Sequence, residues 1–156
     1  MQEFFVQNGE IIIKLLVAVG LGMIIGAERL LVHKEAGMKT YALVSLGAAV
    51  FIIISEMIVL KYANNVVGGL DPTRVASQII VGIGFLGAGS IIFHGNKLLG
   101  LTTAGGLWVT TGIGMAAGFG FYSIAVIATL LVLFVFVVVN KFEKPIRKIS
   151  GDDSEV

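Results

Sequence analysis

The sequence has no cysteine, and its charged residues make up only 13% of 156 residues. The first absence removes disulfides, thiolate metal sites and cysteine nucleophiles together, and leaves the redox compartment undecided. The second sets the chain at about half the roughly 25% charge of soluble domains. In place of charge there is apolar mass: 56% of residues before the 21 glycines are added, against roughly 45–50% with glycine included in soluble domains. This composition excludes an ordinary soluble enzyme, a nucleic-acid binder and a disordered tail. The net charge of +1 says nothing about partners, because in such a chain the positions of the charges carry the information.

A membrane-spanning helix needs about 20 mostly apolar residues, and five stretches of that order lie between charge clusters: residues 11–27, 40–60, 72–93, 101–119 and 122–140. The fold class predicted is all-α, a polytopic membrane protein with five transmembrane helices. The tail, residues 141–156, is polar and expected to be too short for a domain. The first span is not read as a cleaved signal, since a signal begins with a basic region and here Glu3 and Glu10 precede the span while Arg29 follows it. With the amino terminus outside, the inner segments hold Arg29, Lys34, Lys39, Lys97, Lys141, Lys144, Arg147 and Lys148, and the outer ones Lys14, Lys61 and Arg74. Eight against three follows the positive-inside rule and predicts the amino terminus out and the carboxyl terminus in.

Glycine placement indicates which helices are central, because helices in lipid associate through close backbone approach at small residues. Residues 72–93 put Asp71, Gln78, Gly82, Phe85 and Gly89 on one face and Gly84 and Gly87 roughly opposite. The fourth span aligns Thr103, Gly106, Thr110, Gly114 and Gly118, with Gly105 and Gly112 elsewhere. The first offers Ala18, Gly22 and Gly26, a stripe that Arg29 continues. The third and fourth helices are therefore expected to form the packed centre. The fifth has no glycine between Ile124 and Val139 and is expected to face lipid. The run Gly82-Ile83-Gly84-Phe85-Leu86-Gly87 matches the dinucleotide fingerprint by letter. It lacks the strand and aqueous helix start that the fingerprint requires, and reads as packing.

Ionisable groups in or beside spans are the candidates for function, since such groups are costly in a bilayer and face protein or water. One cluster is Glu56, Asp71, Arg74 and Gln78 at the outer end. The other is Glu28, Arg29, His94, Asn96, Thr102 and Thr103 at the inner end. Simpler roles stand beside each. Asp71 before Pro72 makes a good helix cap, and Thr102 or Thr103 would cap the fourth helix. Glu56, about a turn from the end of its span, is expected to reach the headgroups. Glu28 and Arg29 are sequence neighbours that do not face each other on a helix, so each would need a partner from another helix if buried. His33 and His94 read as loop residues and Trp108 as packing. Ser90 lacks a nucleophile elbow and no histidine pair has metal-ligand spacing, so the chain is read as a non-enzyme with no tightly bound cofactor. The oxygen ligands available suit a hard cation such as magnesium.

Residues 22–29 (GMIIGAER), 36–40 (AGMKT), 71–92 (DPTRVASQIIVGIGFLGAGSII) and 100–108 (GLTTAGGLW) resemble, in order, the signatures of the MgtC/SapB family of bacterial membrane proteins. The family usually has arginine and histidine where Lys39 and Tyr41 stand. Its members studied as virulence factors carry a soluble cytoplasmic domain after the fifth helix, so functions tied to that domain are not carried over to this shorter form. The resemblance implies a multi-pass protein of the bacterial cytoplasmic membrane, tied to magnesium homeostasis, with some members acting by restraining the rotary ATP synthase. Motif positions carried across are Glu28, Arg29, Asp71, Arg74, Gln78, Thr102 and Thr103. Of these, Asp71, Glu28, Gln78, Thr102 and Thr103 are the candidates to hold magnesium. Arg29 and Arg74 are candidates for pairing, and Gly84, Gly87 and Gly114 for close packing. Two readings follow. One is a small transporter or channel that binds or conducts magnesium, as a homodimer. The other is a regulatory protein that binds another membrane machine and moves nothing.

Overall fold

The computed structural model describes residues 2–62, 71, 73–95 and 97–142, with side chains from Asn8 onward. Five helices form: α1 Gln2–Leu31, α2 Met38–Tyr62, α3 Thr73–Gly89, α4 Leu101–Gly118 and α5 Tyr122–Phe134. The last runs on through a π-helical stretch, Val135–Val139, and is described as far as Phe142. Between α3 and α4 lies a two-stranded antiparallel hairpin, β1 Ile92–His94 and β2 Lys97–Leu99, pairing Ile92 with Leu99, Phe93 with Leu98 and His94 with Lys97. Pro72, Asn96 and the tail beyond Phe142, each given a role above, lie outside the described residues.

The hairpin adds two short strands to an otherwise helical chain and shortens the span expected at 72–93. Gly87 and Gly89 weaken the helix end, and the β-branched Ile91 and Ile92 with Phe93 favour strand. Gly95, at φ 61°, makes the turn. At the base, Gly100 sits at φ 90°, and a Cβ there would overlap the Ser90 carbonyl. Only glycine closes the hairpin at that point. α1 starts well before residue 11, because Glu3, Gln7 and Glu10 are good helix formers even though they are not apolar. The other three helices fall within a few residues of their predicted spans.

The centre of the bundle is α1, α2 and α4. Ala18, Ile25 and Arg29 of α1 are buried. A Cβ on Gly22 would lie 2.6 Å from the Tyr41 carbonyl oxygen, and one on Gly26 would lie 2.6 Å from the Met38 Cα. Between α2 and α4, a Cβ on Gly114 of α4 would overlap the Ser45 carbonyl, and one on Gly118 would lie 2.9 Å from the Ile52 Cβ. Both interfaces are backbone-to-backbone contacts that glycine alone permits.

α3 is not central, contrary to expectation. It buries only Ala76 and Ile83. A Cβ on Gly82, Gly84 or Gly89 would meet nothing within 4 Å among the described residues, and one on Gly87 would make an ordinary 3.8 Å contact with the Ala104 Cβ. A small-residue face permits close approach but does not supply the opposing helix, and α1 and α4 already occupy α2. α5 exposes Leu130, Leu131 and Phe134 as a lipid wall would, but turns Ala125, Thr129, Val132 and Phe136 inward. Among the described residues, three helical stretches are long and apolar enough to cross a membrane: Asn8–Leu31, Met38–Tyr62 and Tyr122–Phe142. Thr73–Gly89 is a shorter apolar helix, and α4 is diluted by glycine and threonine.

Candidate functional site

The basic end of the bundle gathers Arg29, Lys34, Lys39, Lys97 and Lys141, from the last turn of α1, the α1–α2 connection, the start of α2, β2 and the end of α5. Arg29 is the buried member, 3% exposed. Its Nε donates to a Glu28 carboxylate oxygen, and its guanidinium lies 3.7 Å from the centroid of the Phe136 ring. The expectation that Glu28 and Arg29 cannot pair is thus corrected. Both side chains are long enough to fold back on each other in the final turn of α1, and the partner Arg29 takes from another helix is an aromatic face. A guanidinium over a ring recovers part of the electrostatic stabilisation lost on leaving water.

Phe136 sits in the π-helical stretch, a deviation frequent at functional positions. It shares its pocket with Tyr41. A Cβ on Gly106 would lie 2.5 Å from the Tyr41 hydroxyl and 2.8 Å from the Phe136 Cζ, so Gly106 makes room for both rings. The Tyr41 hydroxyl lies within electrostatic reach of Arg29 and Glu28. The Tyr41 hydroxyl, Ser45 Oγ and Thr110 Oγ1 are buried with no hydrogen-bond partner among the described residues. Tyr41 and Ser45 are one turn apart on α2, and Thr110 lies between Gly106 and Gly114 on the α4 face turned to them. The three hydroxyls line one seam, and buried unpaired hydroxyls carry a desolvation cost.

At the opposite end, Lys14 of α1 is buried and bridges Glu10 at 3.2 Å and Glu56 of α2 at 3.1 Å. Glu56 therefore turns inward to Lys14 instead of reaching for headgroups. Asp71 is fully exposed and caps α3: its Oδ1 accepts from the Thr73 amide at 2.8 Å and the Thr73 hydroxyl at 2.7 Å. Those bonds, the hydroxyl first, hold its carboxyl below the usual range. Arg74 is exposed next to it on the first turn of α3.

The five magnesium candidates do not come together within one chain. Asp71 lies at one end and Glu28 at the other, separated by the length of α3, about 25 Å for 17 residues. Gln78 lines a lateral groove of about 510 Å³ between α2 and α3, with Gly47, Phe51, Gly82 and Leu86. Thr102 is exposed and Thr103 half-buried on the first turn of α4. Neither caps α4, whose N-cap is Gly100 with no side-chain hydrogen bond. Among the described residues, no group of three or more His, Asp or Glu could hold a metal ion. His33 adopts φ 57° in the α1–α2 connection, His94 is exposed at the hairpin tip, and Trp108 is 56% exposed instead of packed.

Sequence reasoning missed Lys14, Tyr41 and Phe136. Lys14 was legible as a charge inside the first apolar stretch. Tyr41 was legible as the residue following the AGMKT segment, whereas Phe136 sits in a run of valine and phenylalanine with nothing to single it out.

The profile of the MgtC family matches residues 15–145. The chain belongs to the MgtC family. It is 42% identical over 133 residues to YhiD of Escherichia coli (strain K12), whose name carries a proposed role as a magnesium transporter; the match covers 83% of this chain and 62% of that protein. It is 40% identical over 129 residues to the protein MgtC of Brucella abortus (strain 2308), covering 83% of this chain and 49% of the relative. It is 43% identical over 122 residues to MgtC of Salmonella typhimurium (strain 14028s), covering 78% and 49%. This MgtC-family chain thus spans about half to three-fifths of the length of these relatives. No solved structure matches it. Family membership and the three long apolar helices together make it a multi-pass membrane protein.

Proposed function

We propose that this MgtC-family chain crosses the bacterial cytoplasmic membrane five times, with its amino terminus outside and its carboxyl terminus inside. There it serves magnesium homeostasis by binding another membrane component, and a single copy conducts no ions. The names of the relatives support the link to magnesium, and the gathering of Arg29, Lys34, Lys39, Lys97 and Lys141 at one end supports the orientation. The observation that carries the binding reading is the closed centre. α1, α2 and α4 meet backbone to backbone at Gly22, Gly26 and Gly114, and Glu28 is engaged by Arg29. A hydrated magnesium ion, which keeps several of its waters, has no room between these helices. Conduction is the second reading and requires a path between two copies of a homodimer.

Purified protein reconstituted into liposomes loaded with a magnesium-sensitive dye tests this. The expected result is no influx above empty liposomes, together with co-purification of a membrane complex from cells grown at low magnesium. Magnesium influx through the purified protein alone would overturn the binding reading in favour of the homodimer path.

A further inference from the structure

The β1–β2 hairpin has no part in the function proposed above, and its surface is unusual. Phe93 is 82% exposed and its cross-strand partner Leu98 is exposed with it; on the other face Ile92 and Leu99 are exposed too. A bare two-stranded hairpin is marginal in water, yet this one is closed at its base by Gly100 against Ser90. Its tip carries His94 opposite Lys97. Lys34, Lys39 and Lys141 lie at the same end of the bundle; of the acidic residues described there, Glu28 is held by Arg29 and Glu35 is exposed in the α1–α2 connection, so the cations outnumber them.

Lengths locate the hairpin in a bilayer. α3, with 17 residues, is about 25 Å long, short of the roughly 30 Å hydrocarbon core. A three-residue strand adds about 10 Å. The hairpin therefore starts at the boundary between acyl chains and headgroups, where water and headgroups can satisfy its unpaired strand edges, and the tip arrives in the headgroup layer. We propose that the hairpin is a lipid-binding foot: Phe93 and Leu98 enter the acyl boundary, and Lys97 binds the phosphate of an anionic phospholipid. Negative leaflet charge attracts basic residues at that depth. The proposal rests on the five-span reading.

Trp108 is the sole tryptophan, lies in α4 and is exposed, so the unaltered protein supplies a depth control. In phosphatidylcholine vesicles with and without phosphatidylglycerol, Trp108 should be quenched by lipids brominated deep in the acyl chain. In the double variant Trp108→Phe, Phe93→Trp, quenching should shift to lipids brominated near the headgroup. It should be stronger for brominated phosphatidylglycerol than for brominated phosphatidylcholine. Adding Lys97→Gln should remove about fivefold of that preference. Leu98→Trp in the Trp108→Phe background is the second reporter, should the first fail to fold. An aqueous Trp108 would overturn the five-span reading itself. A deep Trp108 with position 93 or 98 quenched by acrylamide and by no brominated lipid would overturn the foot and leave the hairpin free for a protein partner. Insertion with equal quenching by both lipids would overturn the contact between Lys97 and the phosphate.

Discussion

Helices α4 and α3 are joined by one hairpin and both are rich in glycine, but they differ in what the glycines do. On α4, Gly106, Gly114 and Gly118 are filled from the other side by Tyr41, Ser45, Ala49 and Ile52. On α3, Gly82, Gly84 and Gly89 face open space among the described residues. Both helices carry several glycines at helical spacing. What separates them is whether a neighbour with a small face of its own is already in place. α2 presents Tyr41, Ser45, Ala49 and Ile52 toward α4 and keeps Leu43, Gly47 and Phe51 for the looser groove beside α3. A glycine stripe is therefore a permission to pack, and its use depends on the partner.

The strongest way to break this contrast is to fill a glycine on each helix. Gly114→Leu should abolish folded yield, and Gly114→Ala should cost about 1–3 kcal/mol or more by overpacking against the Ser45 backbone. Gly84→Leu should leave folded yield unchanged. Gly84→Ala should gain up to about 0.5–1 kcal/mol through helix propensity. Unfolding titrations in mild detergent would read both, and equal losses at the two positions would remove the distinction. If Gly84→Leu leaves the fold intact but changes the oligomeric state, the open face of α3 belongs to a second copy.

Next in size is the buried charge at the edge of the α4 seam. Arg29→Ala leaves the Glu28 carboxylate without its partner and empties the Phe136 ring face. The expected loss is about 3–5 kcal/mol, the range for breaking a buried pair from one side. Thermal stability of the variant compared with Glu28→Gln would check this, because the amide retains a hydrogen bond to Arg29 without the charge and should lose less.

The smallest effect belongs to the exposed start of α3. Asp71→Asn should be nearly silent, since asparagine caps as well as aspartate, while Asp71→Ala should lower the melting temperature slightly. The folded Asp71 carboxyl titrates below its unfolded value. Its contribution is therefore complete at neutral pH and fades as the pH falls through the folded-state value. Melting curves of the wild type and Asp71→Ala should converge toward acid. A large loss in Asp71→Asn would mean that the charge serves something other than the cap.

Much of this was readable from residues alone. The stripe Ala18, Gly22, Gly26 and Arg29 on α1, and Gly106, Thr110, Gly114 and Gly118 on α4, are buried as their spacing implies, because the 100° period is a property of the backbone. α3 was misread because its spacing records the shape of one face and carries no information about its neighbour. The hairpin escaped notice because Ile91, Ile92 and Phe93 satisfy an apolar-length criterion as strand as well as helix, while residues 94–100 read as a loop between spans. Arg29 was identified as a pairing residue, but not with its true partners. Phe136 falls on the face of Ala125, Thr129 and Val132 by the ordinary 100° period, and the last helix departs from α geometry at Val135–Val139, where that face ends.

That departure also gives the last helix a place where its length is free to drift. An i→i+5 stretch holds one residue more than the α-turn it replaces. Losing one of Val137, Val138 or Val139 lets the coil close up as ordinary α-helix, and Lys141 and Phe142 keep the sides of the helix they now occupy. The same loss between Ala125 and Val132 turns everything after it by about 100° and carries Phe136 off Arg29. A single-residue deletion is thus absorbed after Phe136, whereas before it a deletion or an insertion breaks the stacking on the guanidinium.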